Sequence, residues 1–348
     1  MATAGRFRRP YAVAMGQPVV VAAPDKFRGT ATAGEIVAAV SRAATSEGWL
    51  CDGVPMADGG EGTLDALGGP NRTATVTGPL GDLVDAEWRL DGQRAVIEMA
   101  RASGLALVGG AEGNDAVAAS TYGTGELIAL AIDAGARRVI VGVGGSATTD
   151  GGLGALRALV LPRLHGVTIT VACDVRTVFL DAPEVFGPQK GASDLQIQLL
   201  SRRLESLVES YRDEYGVDVT ELEGGGAAGG LAGGLAAVGA SLDSGFDLVS
   251  DEVGLYEAIE VADLVVTGEG FIDRESFDGK VVGGVAEIAA HLDTPVLAIA
   301  GQIYDGADDR IDAISLVDRF GENRAMTETT ACVEQVVAER LSAFRPSD

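Results

Sequence analysis

Three lysines are the most informative candidates for chemistry, because arginine supplies the rest of the 26 basic side chains. Lys26, Lys190 and Lys280 each lie in a glycine-containing segment beside acidic or polar residues: APDKFRG, FGPQKGA and DRESFDGK. Lysine carries a compact charge on a flexible stem, which suits a phosphate group that moves during a reaction. The pattern therefore indicates phosphoryl transfer. The alternative is a general depletion of lysine that spared three by chance.

A glycine-rich segment, VGVGGSATTDGG (141–152), follows an apolar run and favours anion binding by backbone N–H groups. Its candidate phosphate ligands are Gly144, Gly145, Ser146 and Thr148. The helix predicted to follow would add the positive end of its dipole.

A second segment, GGGAAGGLAGG (224–234), contains a GxGxxG match at Gly224, Gly226 and Gly229, after a strand predicted over 217–222. Gly226 and Gly229 are candidate phosphate contacts, but close helix packing also requires small residues, and the two interpretations stand about even. The sequence contains no GxxxxGK[ST] motif, which excludes a P-loop.

Carboxylates recur at predicted strand ends and in glycine-containing loops, notably ADGGEGT (57–63) and TGEGFID (267–273). They are Asp25, Asp58, Asp150, Asp174, Glu269 and Asp273. Ligands bind at the carboxyl edge of open α/β sheets, and Mg²⁺ is held there by one or two carboxylates plus phosphate oxygens. In a chain this acidic, any single one is better explained as an exposed cap or turn residue, so only their grouping with glycine loops indicates a magnesium site.

The elements that position these residues alternate between strand and helix at both ends of the chain. Apolar runs predict strands over 19–22, 263–267 and 295–300, and helices are expected over 32–46 and 281–291. The segment 268–280 is expected to be a long loop. This order predicts a parallel α/β sheet.

The middle of the chain has a different pattern. Short alternating segments over 72–99 predict antiparallel strands. We therefore expect a discontinuous flavodoxin/Rossmann-like domain (17–66 and 255–348), an inserted mixed α/β domain (67–254) and a loose N-terminal extension (1–16).

The net charge of −25 opposes nonspecific binding to nucleic acid or to an anionic membrane. Acid excess combined with arginine in place of lysine indicates a salt-adapted, halophilic protein. The three cysteines are widely spaced and favour a reducing, cytoplasmic location. No apolar run reaches the length of a membrane span. Neither His165 nor His291 lies near these motifs, so a catalytic base must be a carboxylate or water.

The ordered motifs together resemble the type-1 glycerate kinase family from about residue 19 to residue 300. They include APDKFRGT, PMADGGEGT, TYGTGELI, GVGGSATTDGG, FGPQKGA, GAAGGLAGGL and ADLVVTGEGFID. The resemblance implies a flavodoxin-like domain with an inserted α/β domain. It also implies phosphate transfer from ATP to D-glycerate with Mg²⁺.

Some positions depart from the family pattern. Arg28 replaces a lysine and Thr149 replaces an asparagine. The stretch 154–170 is short, and 176–184 lacks the usual asparagine–proline and glycines. These changes affect the loop before FGPQKGA and therefore how Lys190 is aimed.

The roles that we assign follow from the chemistry of the side chains within this resemblance. Asp174 is the candidate general base, and Lys190 and Lys280 are candidates for contacting the ATP phosphates. Lys26 and Arg28 are proposed for the glycerate carboxylate, with Arg101 a weaker candidate, and Asp25 is proposed to bind the substrate. Those proposed for the metal are Asp58, Glu269 and Asp273.

Two alternatives stay open: a dinucleotide-dependent oxidoreductase using the 224–229 loop, and a nonenzymatic nucleotide-binding protein. The sequence does not decide between phosphorylation of the 2- and 3-hydroxyl, although the resemblance favours the 2-position. Oligomeric state, including a homo-oligomer, also stays open.

Overall fold

A computed structural model of the chain describes residues 16–277, 279–304 and 310–344. The expected N-terminal extension lies outside the described residues, apart from Gly16. Within the described ranges, no helix combines the length and apolarity needed to span a bilayer.

The strands are, in chain order, β1 (Val19–Ala22), β2 (Leu50–Gly53), β3 (Arg72–Thr77), β4 (Leu83–Asp91), β5 (Arg94–Glu98), β6 (Arg138–Gly142), β7 (Thr168–Ala172), β8 (Ser241–Asp243), β9 (Leu264–Ile272), β10 (Val296–Ile303) and β11 (Ala313–Ser315).

The α-helices are α1 (Ala33–Ser46), α2 (Thr63–Ala66), α3 (Ala100–Ser103), α4 (Tyr122–Asp133), α5 (Leu153–Ala158), α6 (Ala182–Phe186), α7 (Asp194–Tyr215), α8 (Ala227–Ala237), α9 (Gly245–Val253), α10 (Leu255–Ile259), α11 (Val281–His291), α12 (Leu316–Phe320), α13 (Glu322–Thr327) and α14 (Thr329–Ala343). Short 3₁₀ helices span Leu105–Val108, Leu161–Leu164, Phe179–Asp181, Pro188–Lys190 and Arg274–Phe277.

The first compact unit comprises the described residues up to Asp58 and those from Phe246 onward. Its five strands are all parallel, in the order β11-β10-β9-β1-β2. Every residue of β1 is buried, as expected for an interior parallel strand. Helix α1 begins with a capping box in which the side chains of Thr32 and Glu35 bond reciprocally to backbone N–H groups. The predicted parallel sheet from both chain ends is confirmed.

The second compact unit, Gly59–Gly245, contains a six-stranded sheet in the order β3-β4-β5-β6-β7-β8. The pairs β3–β4 and β4–β5 are antiparallel, and the remaining pairs are parallel. This mixed α/β architecture agrees with the predicted class of the inserted domain. Its apolar core includes residues of β5, β6, α4, α5 and α8.

The unit boundaries differ from those expected, because residues 59–66 belong to the second unit and residues 246–254 to the first. Glu98, at the end of β5, accepts hydrogen bonds from the backbone N–H groups of Gly62 and Leu64 and so fixes the first of these segments. Phe246 packs against α11 at Gly284, where a Cβ would lie only 2.2 Å from the phenyl ring.

Two expected elements were wrong. The segment 268–272, expected to be loop, continues β9, because it pairs with β10 as far as Ile272–Ile303. The segment 217–222 is not a strand, so the GxGxxG match does not follow one.

Candidate active site

The carboxyl edge of the sheet in the first unit positions the APDKFRG loop against β9. Asp25 donates its backbone N–H to the carbonyl oxygen of Gly268, at 2.8 Å. Gly270 permits close approach, because a Cβ there would lie 3.0 Å from the backbone nitrogen of Arg28. The residues that begin this loop are therefore held beside the TGEG segment.

Asp25, Asp58 and Glu269 form a carboxylate cluster at this edge, in which neighbouring charges shift the pKa values of Asp25 and Glu269. Burial raises the pKa of Asp25 to about 6, the ammonium of Lys26 opposes this, and the charge of Asp58 adds to it. Burial also raises the pKa of Glu269 to about 7; a hydrogen bond from Ser276 opposes the rise, and the charge of Asp25 adds to it. A cation bound here would relieve this repulsion.

Two of the three lysines lie beside the carboxylate cluster. The Nζ atom of Lys26 is 3.6 Å from Oδ1 of Asp25. Lys280 is the N-cap residue of α11, and its charge lowers the pKa of Glu269. The side chain of Arg28 is exposed at the same loop. The first unit thus brings carboxylates and the cationic side chains of Lys26 and Lys280 together at one edge of its sheet.

One of the three carboxylates expected at the metal site, that of Asp273, is engaged within the protein. Oδ1 of Asp273 accepts hydrogen bonds from the backbone N–H and the hydroxyl of Ser276, so it stabilises a local turn. No group of three or more metal-ligating side chains is arranged around a common point in the described part of the chain. Magnesium, however, needs only one or two carboxylates when phosphate oxygens complete its shell. Glu269 fits this role, because its Oε1 atom is buried with no hydrogen-bond partner among the described residues.

Arg101, the weakest of the four candidates for substrate binding, lies in the second unit and is already paired. Its guanidinium contacts Glu98 and Glu87, each at 3.3 Å. The other three candidates lie in the first unit. The sequence analysis missed Glu98, although an acidic residue ending the apolar strand RAVIE was a usable signal.

The 141–152 loop of the second unit is held by close backbone packing. A Cβ at Gly144 would lie 2.5 Å from Cα of Gly60. Gly145 has a φ of +71°, and Ser146 forms an isolated antiparallel β-bridge with Gly104. The hydroxyl of Thr148 donates to the carbonyl oxygen of Ala228, so it is engaged with the protein.

Lys190 points into this unit, with only 2% of the residue exposed. Its Nζ atom donates to the carbonyl oxygen of Thr148 at 2.6 Å and lies 5.8 Å from the ring centroid of Phe186. Burial lowers the pKa of the Lys190 ammonium to about 7, and the charge of Asp150 opposes this. The bond to Thr148 uses one of the three ammonium donors, and burial separates the others from solvent.

Two polar residues near Lys190 have structural roles. Asp150 accepts hydrogen bonds from the backbone and hydroxyl of Thr121 and from the backbone N–H groups of Gly152 and Gly154. Asn114 donates to the carbonyl oxygens of Ala147 and Lys190, at 3.0 and 2.9 Å, and so joins two loops that are distant in sequence. Nothing in the local pattern around Asn114 indicated this contact.

The 224–234 segment is explained by close packing. Gly226 donates its N–H to the carbonyl oxygen of Thr177. Gly229 has a φ of +67°, and a Cβ there would lie 2.0 Å from the carbonyl oxygen of Thr148. These contacts favour the packing interpretation over phosphate binding. The oxidoreductase alternative also has no structural support, because its GxGxxG motif should follow a strand and residues 217–222 do not form one.

Asp174 follows β7, as predicted, and its carboxylate is oriented by the start of α9. Oδ1 accepts hydrogen bonds from the backbone N–H of Gly245 at 2.7 Å and from the hydroxyl of Ser244 at 3.3 Å. The carboxylate is half-buried, which is compatible with a base held in a defined orientation.

Comparison with known proteins shows extensive similarity. The family model described as the glycerate kinase family matches residues 20–161 and 159–344. Glycerate 2-kinase of Escherichia coli K12 is 40% identical over 327 residues, covering 82% of this chain and 86% of the relative. Glycerate kinase of Halalkalibacterium halodurans is 38% identical, covering 91% and 95% respectively.

A crystal structure of the Salmonella typhimurium LT2 protein designated glycerate kinase 2 gives a TM-score of 0.81. It is 35% identical and covers 94% of this chain and 98% of that chain. Because the family model, the relatives and the fold agree over nearly the whole described length, the chain is a kinase and belongs to the glycerate kinase family.

Proposed function

We propose that the protein transfers the γ-phosphate of ATP to the 2-hydroxyl of D-glycerate, giving 2-phosphoglycerate and ADP. The 2-position is supported by the name of the Escherichia coli relative, glycerate 2-kinase. The observation that carries the proposal is the carboxylate cluster flanked by Lys26 and Lys280. Phosphoryl transfer needs alignment and positive charge around the moving group, and little covalent chemistry from the protein.

In the first unit, Asp58 and Glu269 would hold magnesium, with Asp273 set aside because Ser276 engages it. A bound magnesium ion would neutralise charge on the phosphate oxygens. Lys26 and Arg28 would bind the glycerate carboxylate, the guanidinium as a two-point donor. Lys280 would contact phosphate.

In the second unit, Asp174 is our candidate general base, since two hydrogen bonds orient its carboxylate. The backbone of Gly144, Gly145 and Ser146 is the candidate anion-binding segment. Lys190 is buried and bonded to the carbonyl oxygen of Thr148, so its proposed role is to hold the 141–152 segment in place. The phosphate roles expected for Thr148, Gly226 and Gly229 are withdrawn on the same grounds of internal bonding and packing.

The test is a coupled assay of ADP release from ATP with D-glycerate, with and without magnesium, followed by phosphorus NMR of the product. We expect ADP release only when D-glycerate and magnesium are both present, and a phosphate ester on C2. A C3 ester would overturn the 2-position, and ADP release independent of D-glycerate would overturn the substrate.

Two further proposals concern where in the cell the protein is located and the salt concentration to which it is adapted. We infer a cytoplasmic location from the cysteines, all three of which are free. We infer salt adaptation from the net charge of −25, and greater activity in molar KCl than in dilute buffer would support it.

A further inference from the structure

Two aromatic rings in the first unit are exposed together at the carboxyl edge of the sheet. Phe271, in β9, is 42% exposed, and Tyr304, just beyond β10, is 47% exposed. Their ring centroids are 6.4 Å apart, with an angle of 72° between the planes. Single exposed apolar side chains need no explanation, but two exposed rings in contact offer faces on which a flat ligand can stack.

The strand geometry places this aromatic pair next to the carboxylate cluster. Phe271 is two residues beyond Glu269, so the alternation of β9 puts both side chains on one face. Ile272, on the opposite face, is fully buried. Tyr304 donates its backbone N–H to the carbonyl oxygen of Ile272 at 2.8 Å, which fixes the tyrosine beside the end of β9.

Gln302 adds a polar group to the pair. It lies opposite Phe271 in the β9–β10 register. The hydroxyl of Tyr304 donates to Oε1 of Gln302 at 2.7 Å, which leaves the amide nitrogen of Gln302 as a hydrogen-bond donor. A flat heteroaromatic ring with nitrogen acceptors on its edge matches this combination of exposed rings and a donor.

We propose that Phe271 and Tyr304 form the nucleobase subsite, on which the adenine ring of ATP stacks. This inference rests on the proposed function, because it places the base beside the cluster to which we assign magnesium and phosphate. Ligands of parallel sheets bind at this edge. Because every base has a π-face, stacking discriminates little among bases and strongly against a ligand without one.

The experiment compares Phe271→Ala and Tyr304→Ala with Tyr256→Ala, whose tyrosine is 45% exposed in α10 of the same unit and serves as the matched control. Calorimetry measures the Kd of ATP and of inorganic tripolyphosphate, and steady-state kinetics gives both KM values and kcat. We expect the Kd and KM for ATP to rise about tenfold or more in the two test variants. Tripolyphosphate binding, the KM for D-glycerate and kcat should stay at wild-type values, and Phe271→Trp should restore ATP binding.

Several outcomes would overturn the subsite. One is ATP binding to the two test variants as tight as to the wild type, and another is an equal weakening of ATP and tripolyphosphate binding. Loss of self-association in sedimentation experiments, with ATP binding unchanged, would instead identify the pair as an interface between copies of the chain. Ring-dependent ATP binding without phosphorylation of D-glycerate would support the subsite and refute the proposed function, so the two failures are distinguishable.

Discussion

Replacing Lys190 by methionine should raise the free energy of unfolding at pH 6. The difference between the variant and the wild type should shrink as the pH rises. The lysine is 2% exposed, and burial lowers its pKa from 10.5 to about 7. Between these values the unfolded chain carries a proton at this position that the folded chain has released. Because the unfolded state then binds more protons, the titration of Lys190 makes the free energy of unfolding of the wild type increase as the pH rises.

The size of the effect follows from the pKa values. The lowering of the Lys190 pKa from 10.5 to about 7 corresponds, at about 1.4 kcal/mol per pH unit, to at most about 5 kcal/mol by which the folded state disfavours the charged lysine. Losing the hydrogen bond to Thr148 costs the variant about 1–3 kcal/mol, because a buried carbonyl is left unpaired. We therefore expect Lys190→Met to be a few kcal/mol more stable than the wild type at pH 6. This difference should shrink by about 3 kcal/mol by pH 9.5.

Urea unfolding at several pH values between 6 and 9.5 measures this difference. Lys190→Arg is the matched control, because a guanidinium stays charged throughout this range. Its deficit relative to the wild type should therefore grow with pH. A stability difference between Lys190→Met and the wild type that is constant across the range would refute the conclusion that Lys190 loses its proton on folding.

Three further predictions concern packing, metal binding and catalysis. Gly229→Ala should destabilise by at least about 3 kcal/mol in urea unfolding, because its Cβ would collide with the carbonyl of Thr148. Gly239→Ala, with positive φ but open space around it, should lose only about 1–2 kcal/mol, and equal losses would contradict the packing argument. Glu269→Gln should raise the magnesium concentration for half-maximal activity at least about tenfold, whereas an unchanged magnesium titration would exclude it as a ligand. Asp174→Asn should lower kcat at least about a hundredfold while calorimetry still detects ATP binding, and near-normal turnover would remove the base assignment.

The fold was largely predictable, because its elements are specified by local patterns. The apolar run of β1 and the helix α11 have the predicted bounds. The continuation of β9 through Ile272 was not predictable, because glycines and acidic residues are typical of loops. It forms because β10 supplies backbone partners along that whole stretch. The false strand over 217–222 shows the reverse case, in which alternating residues find no neighbouring strand.

The candidate site was predictable in position more than in role. Motif order indicated that Asp25, Asp58 and Glu269 lie at strand ends, and the structure places them in one carboxylate cluster. The role of Asn114 depends on two carbonyl groups separated from it by 33 and 76 positions, which no local pattern specifies. The glycines of 224–234 had two interpretations in the sequence, and only contact distances favour one.

The three lysines are the exceptions among basic residues that are otherwise arginines, and they divide into two physical classes. Lys26 and Lys280 are partly exposed beside carboxylates, where a compact ammonium can pair with an anion. Lys190 is enclosed, with a main-chain carbonyl as its acceptor. Lysine can satisfy that carbonyl and still lose its proton, whereas arginine would keep a buried charge. At position 190, burial alone is therefore sufficient reason for lysine. The interpretation of lysine as a contact for an anionic ligand applies to Lys26 and Lys280, and its phosphate form to Lys280.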